Sequence, residues 1–151
     1  MKVFSSQVGV KEQGGSNRGP KVKVYLASSG NHEGQPWCAA FVNWCFRQVG
    51  LHGPAGAGAA RNWFPAARVI YRRGAAAKKK PQPGDCAGFY YAHLGRIGHI
   101  GFIERWEENF AITVEGNTGG GSGINRNGDG VYRMRRLRSQ ISIVSTWIPK
   151  S

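Results

Sequence analysis

The chain has 151 residues, with 21 Lys and Arg against 8 Asp and Glu, a formal charge of +13. That length suits one domain over residues 1–151 with a full-sized core and excludes a second substrate domain. The charge draws polyanions, but no zinc, helix-turn-helix or RNA-recognition signature accompanies it, so a specific nucleic-acid reader is not expected.

In chain order, residues 5–10 read as a short helix that Gly14-Gly15-Ser16-Asn17 breaks, and residues 20–27 as a second, with Val22, Tyr25 and Leu26 on one face. Residues 36–49 form the clearest amphipathic helix. Pro36 suits its first turn, Cys38, Phe41, Val42, Cys45 and Val49 share the apolar face, Asn43, Arg47 and Gln48 fall opposite, and Gly50 closes it. Residues 56–71 hold Trp63, Phe64 and Ile70 around Pro65, which predicts one helix ending near Phe64 and an irregular or strand-like continuation. The lysines of 75–83 keep a loop in water. Strands are expected at 86–92, 96–107, 110–115, 131–137 and 141–148. Between the third and fourth of these, Gly119 to Gly123 and Asn127 to Gly130 make a long glycine-rich connection, either a lid over a site or a tolerated insertion.

A cysteine in the first helical turn meets unpaired backbone N–H groups and the positive end of the helix dipole, both of which favour thiolate. Cys38 is such a residue. On the strand at 96–107, His99, Gly101 and Ile103 face one way and Ile100, Phe102 and Glu104 the other. On the next, Ala111, Thr113 and Glu115 oppose Phe110, Ile112 and Val114. A tight turn at Glu108-Asn109 then sets His99 and Glu115 on adjacent strands. A histidine that takes a thiol proton needs a third group to fix its tautomer, and Glu115 is the first candidate, Asn117 the second. Alone, a helical cysteine or a strand histidine is more often core, so the pairing carries the reading.

Cys38 and Cys45 lie about 10.5 Å apart along the helix, beyond the roughly 7 Å limit for a disulfide. Cys45 and Cys86 are read as core, with a bridge between them open in an oxidising compartment. A zinc site from the three cysteines and His99 lacks any compact ligand spacing, so neither metal nor cofactor is expected. His32, His52 and His93 lie in or near turns.

The Trp37-Cys38-Ala39-Ala40-Phe41-Val42-Asn43-Trp44-Cys45 helix, the Pro83-Gly84-Asp85 turn, the Gly98-His99-Ile100-Gly101-Phe102-Ile103 strand and the Glu115-Gly116-Asn117 terminus together resemble the CHAP domain, a papain-like, NlpC-related family of bacterial and phage cysteine hydrolases. The likeness runs from about Val8 to the end and includes the Gly9 to Glu12 and Asn17 to Pro20 segments. It implies an α+β fold with N-terminal helices packed on a C-terminal antiparallel sheet of about five or six strands. It also implies cleavage of a peptidoglycan amide bond, with Cys38 as nucleophile, His99 as base, Glu115 as orienter and Asn117 as a further polar site residue. Gln35 is considered as an oxyanion donor, Trp37 and Tyr91 as groove walls, and Trp44 as core.

Residues 1–6 turn polar too early for a signal peptide, and no run approaches a membrane span. The expectation is synthesis in the cytoplasm and delivery to the periplasm or cell wall, by phage lysis or a secretion apparatus such as a type VI system. Expected partners are the peptidoglycan substrate, anionic wall or outer-membrane polymers and, for an effector, an inhibitor or immunity protein; a monomer is expected. The rival readings are a noncatalytic wall- or polyanion-binding module and a nucleic-acid binder using Arg133, Arg135, Arg136 and Arg138, a cluster better read as an edge-strand surface.

Overall fold

The computed structural model describes residues 3–119 and 129–149; most of the glycine-rich connection read as lid or insertion lies outside them. Three helices, α1 (Val3–Ser6), α2 (Pro20–Ser28) and α3 (Cys38–Gln48), precede six strands, β1 (Val69–Arg72), β2 (Cys86–Tyr91), β3 (Arg96–Trp106), β4 (Phe110–Thr118), β5 (Gly130–Leu137) and β6 (Ile143–Ser145). The strands form one sheet in the order β1-β6-β2-β3-β4-β5, antiparallel at every pairing. This is the α+β arrangement that the sequence implied.

The helices cover one face of the sheet. Phe4, Trp37, Phe41 and Phe46 pack there with Ile100, Phe102 and Val114 in one fully buried cluster, and Phe4 stacks on Phe102 with ring centroids 4.6 Å apart. The other face carries Phe89, Ile103, Ala111 and Val144. This split follows the predicted alternation of β3 and β4. The second face is buried because the sheet curls. Tyr71 of β1 meets Trp106 of β3 at 5.0 Å, and Arg73 Nη1 donates to the carbonyl of Ser139, just past β5, at 2.7 Å. The two edges of the sheet thus approach across its concave side, leaving little water against that face.

Several local expectations change. In place of one helix ending near Phe64 there are two 3-10 turns, Ala60–Trp63 and Ala66–Arg68, and the expected strand-like continuation is β1. Pro65 at the break has no N–H to extend a helix, and Trp63 Nε1–H donates to the Ala57 carbonyl at 2.9 Å, folding the alanine-glycine stretch back on itself. Asn43, assigned to the polar face of α3, is buried. Its Nδ2 donates to the Ser28 carbonyl at 3.0 Å, tying α3 to the end of α2. The last strand is shorter than expected, with a 3-10 turn at Arg138–Gln140 ahead of it.

Candidate active site

Trp37 occupies the N-cap position of α3, and the first intrahelical bond runs from the Phe41 N–H to the Trp37 carbonyl at 2.9 Å. The N–H groups of residues 38–40 therefore stand outside the helical ladder. Cys38 is 5% exposed. Burial opposes its ionisation, but the hydrogen bond and charge of His99, with the N–H groups of Ile100 and Ala39, outweigh it and bring the thiol below its ordinary pKa.

His99, Glu115, Thr113 and Arg136 are all buried. His99 Nε2 lies 2.8 Å from Glu115 Oε1. His99 Nδ1 has no hydrogen-bond partner among the described residues, and the Cys38 thiol lies close enough to the imidazole for each to act on the other's ionisation. Burial works against the imidazolium, yet the bonds to Cys38 and Glu115 push the His99 pKa up to about 9. Glu115 receives two more partners. Arg136 from β5 grips it with Nε to Oε2 at 2.8 Å and Nη2 to Oε1 at 2.6 Å, and the Thr113 hydroxyl donates to Oε2. Burial would raise this carboxyl, but Arg136 and His99 hold it at about 2, so it is a carboxylate at any ordinary pH. The result is a continuous line, Cys38 to His99 to Glu115 to Arg136, running from a helix terminus across β3, β4 and β5.

Register explains why this line can form. Phe102 pairs with Val114, so antiparallel counting puts Gly101 beside Glu115 and His99 one same-face step further along β3. The glutamate must lie over residue 101 to reach the imidazole. A Cβ at Gly101 would stand 2.5 Å from Glu115 Cγ, so only glycine leaves the path clear.

The other expected site residues are dispersed. Gln35 lines the cleft beside Cys38; its Oε1 accepts the His32 N–H at 2.7 Å, which leaves the carboxamide NH2 as a donor. Trp37, expected as a groove wall, is instead fully buried; its indole N–H donates to Glu12 Oε1 at 2.9 Å, and its ring stacks on Tyr25 at 5.7 Å. Tyr91 is also largely buried, its ring under Gly98. Asn117 lies two residues past Glu115 with φ 57. It is 0% exposed, and its side-chain amide has no hydrogen-bond partner among the described residues. Trp44 is half-buried against the core, edge-on to Tyr25. Cys45 and Cys86 are buried free thiols, and burial pushes both up.

Two residues at the heart of this line escaped the sequence reading. Arg136, expected with its neighbours on an edge-strand surface, is buried, and the four arginines have different fates. Arg133 pairs with Glu104 at 2.5 Å, Arg135 lies 4.3 Å from the Phe110 ring centroid, Arg138 lies 4.7 Å from that of Trp106, and only Arg136 is inside. The available signal was alternation: Arg136 shares a strand face with Met134, as Thr113 does with Glu115.

The CHAP domain family model matches residues 30–117, more than half of the chain, a narrower span than the sequence likeness from Val8 to the end. No curated protein and no solved structure gave a match. With a cysteine at a helix terminus, a histidine on the adjoining strand and a family match that covers both, the chain belongs to the CHAP domain family, whose papain-like members are generally cysteine- and histidine-dependent amidases or endopeptidases of peptidoglycan.

Proposed function

We propose that this chain is a cysteine-dependent peptidoglycan hydrolase that cleaves one amide bond, either between the glycan lactyl group and the peptide or within the stem peptide or cross-link. The observation that carries the reading is the buried line from the Cys38 thiol through His99 to the Glu115 carboxylate, opening on a cleft of about 140 Å3.

Cys38 is the nucleophile. Its thiolate attacks the amide carbonyl carbon, a C–S bond forms, and the C–N bond breaks as the His99 imidazolium gives its proton to the leaving amine. Water then adds to the thioester while His99 takes its proton, and collapse releases a carboxylic acid and restores the thiol. Glu115 fixes the imidazole by its Nε2 and stabilises the cation, and Arg136 holds Glu115 in turn. The Cys38 backbone N–H and the Gln35 carboxamide are the donors for the oxyanion. Asn117 is the further polar residue of the site.

The biological setting proposed is cell lysis, as a phage lysin or a delivered antibacterial effector acting at the cell wall or in the periplasm. The basic surface suits docking on anionic wall polymers before cleavage. The test is mass spectrometry of fragments released from purified sacculi of several wall chemotypes by the wild type and by Cys38→Ser. Defined fragments from the wild type alone are expected, and their termini name the bond. Release by neither protein would overturn the reading in favour of a noncatalytic binding module.

A further inference from the structure

The cleft beside the thiol has walls from three places: the approach to α3, the stretch from Gly58 to Arg61, and the start of β3. Its charged side chains are Arg61 and Arg96, contributed by different elements. Gly58 packs against the Asn31 carboxamide and Gly98 against the Tyr91 ring, so a side chain at either position would collide with its neighbour.

The sign of these two residues means little by itself in a chain with 21 cations and 8 acids. Their position and the location of the acids mean more. All eight acids are among the described residues, and none lines this cleft. Glu12 is bound to Trp37, Glu33 to the Gly19 N–H, Asp85 to the Gln82 N–H, Glu104 to Arg133, Glu107 to Arg105, Glu115 to Arg136 and Asp129 to Tyr132. Glu108 lies in the turn between β3 and β4, at the far end of β3 from Arg96. No side-chain hydrogen bond or ion pair engages the guanidinium of Arg61 or Arg96 among the described residues. Both guanidinium groups are therefore open to an anionic group of a bound ligand. Guanidinium groups favour carboxylates through paired N–H donors.

Resting on the hydrolase reading above, we propose that Arg61 and Arg96 select substrates with a free carboxylate beside the scissile amide. Arg61 and Arg96 line the same small cleft as Cys38, so the carboxylate belongs to the residue next to the cut or one beyond it. Two sources supply this chemistry in a stem peptide: the α-carboxylate of a γ-linked glutamyl residue, and the carboxylate of the diamino acid or the peptide terminus. In both cases amidation removes the charge and keeps the shape.

The experiment measures kcat/KM of the intact chain on defined muropeptides that keep the lactyl–peptide bond and a cross-link, fully acidic, amidated only at the glutamyl position, or amidated only at the later carboxylate. Wild type, Arg61→Met, Arg96→Met and the double variant are compared. One amidation is expected to lower wild-type kcat/KM by about tenfold or more, and which one it is names the source. Each arginine variant should lose a similar factor on the acidic substrate while its turnover of the sensitive amidated form stays within about twofold of wild type. Equal wild-type kcat/KM on all three substrates would overturn the selection and leave the hydrolase reading standing, as would variants that slow every substrate alike. Absence of turnover on all three would overturn the hydrolase reading and this inference together.

Discussion

Arg136 offers the sharpest test of how the site is held together. Arg136→Met keeps much of the side-chain length and apolar contact but removes both guanidinium bonds to Glu115. The carboxylate would remain buried with only Thr113 and His99 as partners. Taking one partner from a buried ion pair costs about 3–5 kcal/mol, because the remaining charge has lost its compensation. For a chain of this size that corresponds to a fall in thermal midpoint of roughly 6–20 °C. The pH dependence should change as well. With Arg136 gone, burial raises the Glu115 carboxyl toward protonation; a neutral Glu115 stabilises the imidazolium less, and the Cys38 thiol rises in response. The acid limb of kcat/KM should therefore move to higher pH. Calorimetry at pH 7 and a pH–rate profile measure the two effects. Adding Glu115→Gln to Arg136→Met should recover part of the lost stability, since the uncompensated charge is then removed, and Arg136→Lys should fall between wild type and Arg136→Met. A midpoint within about 2 °C of wild type with an unshifted acid limb would refute the argument.

Activity should follow a bell in pH, falling in acid as the Cys38 thiolate is protonated and falling above about 9 as His99 loses the proton it gives to the leaving amine; a kcat/KM profile that stays flat through pH 9–10 would contradict this. Stability has its own pH window. Glu115, held at about 2 against an ordinary 4.5, contributes fully above 4.5 and progressively less as pH falls toward 2. His99, raised to about 9 from 6.5, contributes fully below 6.5, and its contribution is lost as pH rises through 9; thermal midpoints across pH 2–10 check both signs. Gly101→Ala should destabilise the fold by about 1–3 kcal/mol and cut activity further than that loss explains, because its Cβ meets the Glu115 stem; unchanged kcat with an intact midpoint would be the contrary result. At Asn117, with φ 57, Gly should keep the backbone without strain while Ala adds about 1–2 kcal/mol; comparing kcat for the two separates the backbone from the amide, and equal wild-type activity in both would remove Asn117 from the site.

Some of the site was legible before any coordinates. Pro36 ahead of an apolar stripe placed Cys38 in the first turn of a helix, and period-two alternation put His99 and Glu115 on one face of two neighbouring strands. These are consequences of neighbours in sequence, so a few residues determine them. The resemblance of four short motifs to CHAP domains added the chemistry that alternation alone does not contain.

Tertiary structure decided what depends on distant parts of the chain. Arg136 shares a sheet face with Glu115 because the β4–β5 register pairs Ala111 with Arg136, and a shift of one residue would turn the arginine to the other face. Trp37 became core because α2 and Glu12 close over its ring, a contact that helix periodicity does not encode. The concave face is dry because β1 curls toward β3, bringing Tyr71 to Trp106. Local sequence therefore fixed which groups carry the proposed chemistry, and the non-local register and curl of the sheet fixed the charge that holds them in place, because pairing between distant strands depends on the whole set of contacts rather than on any one segment.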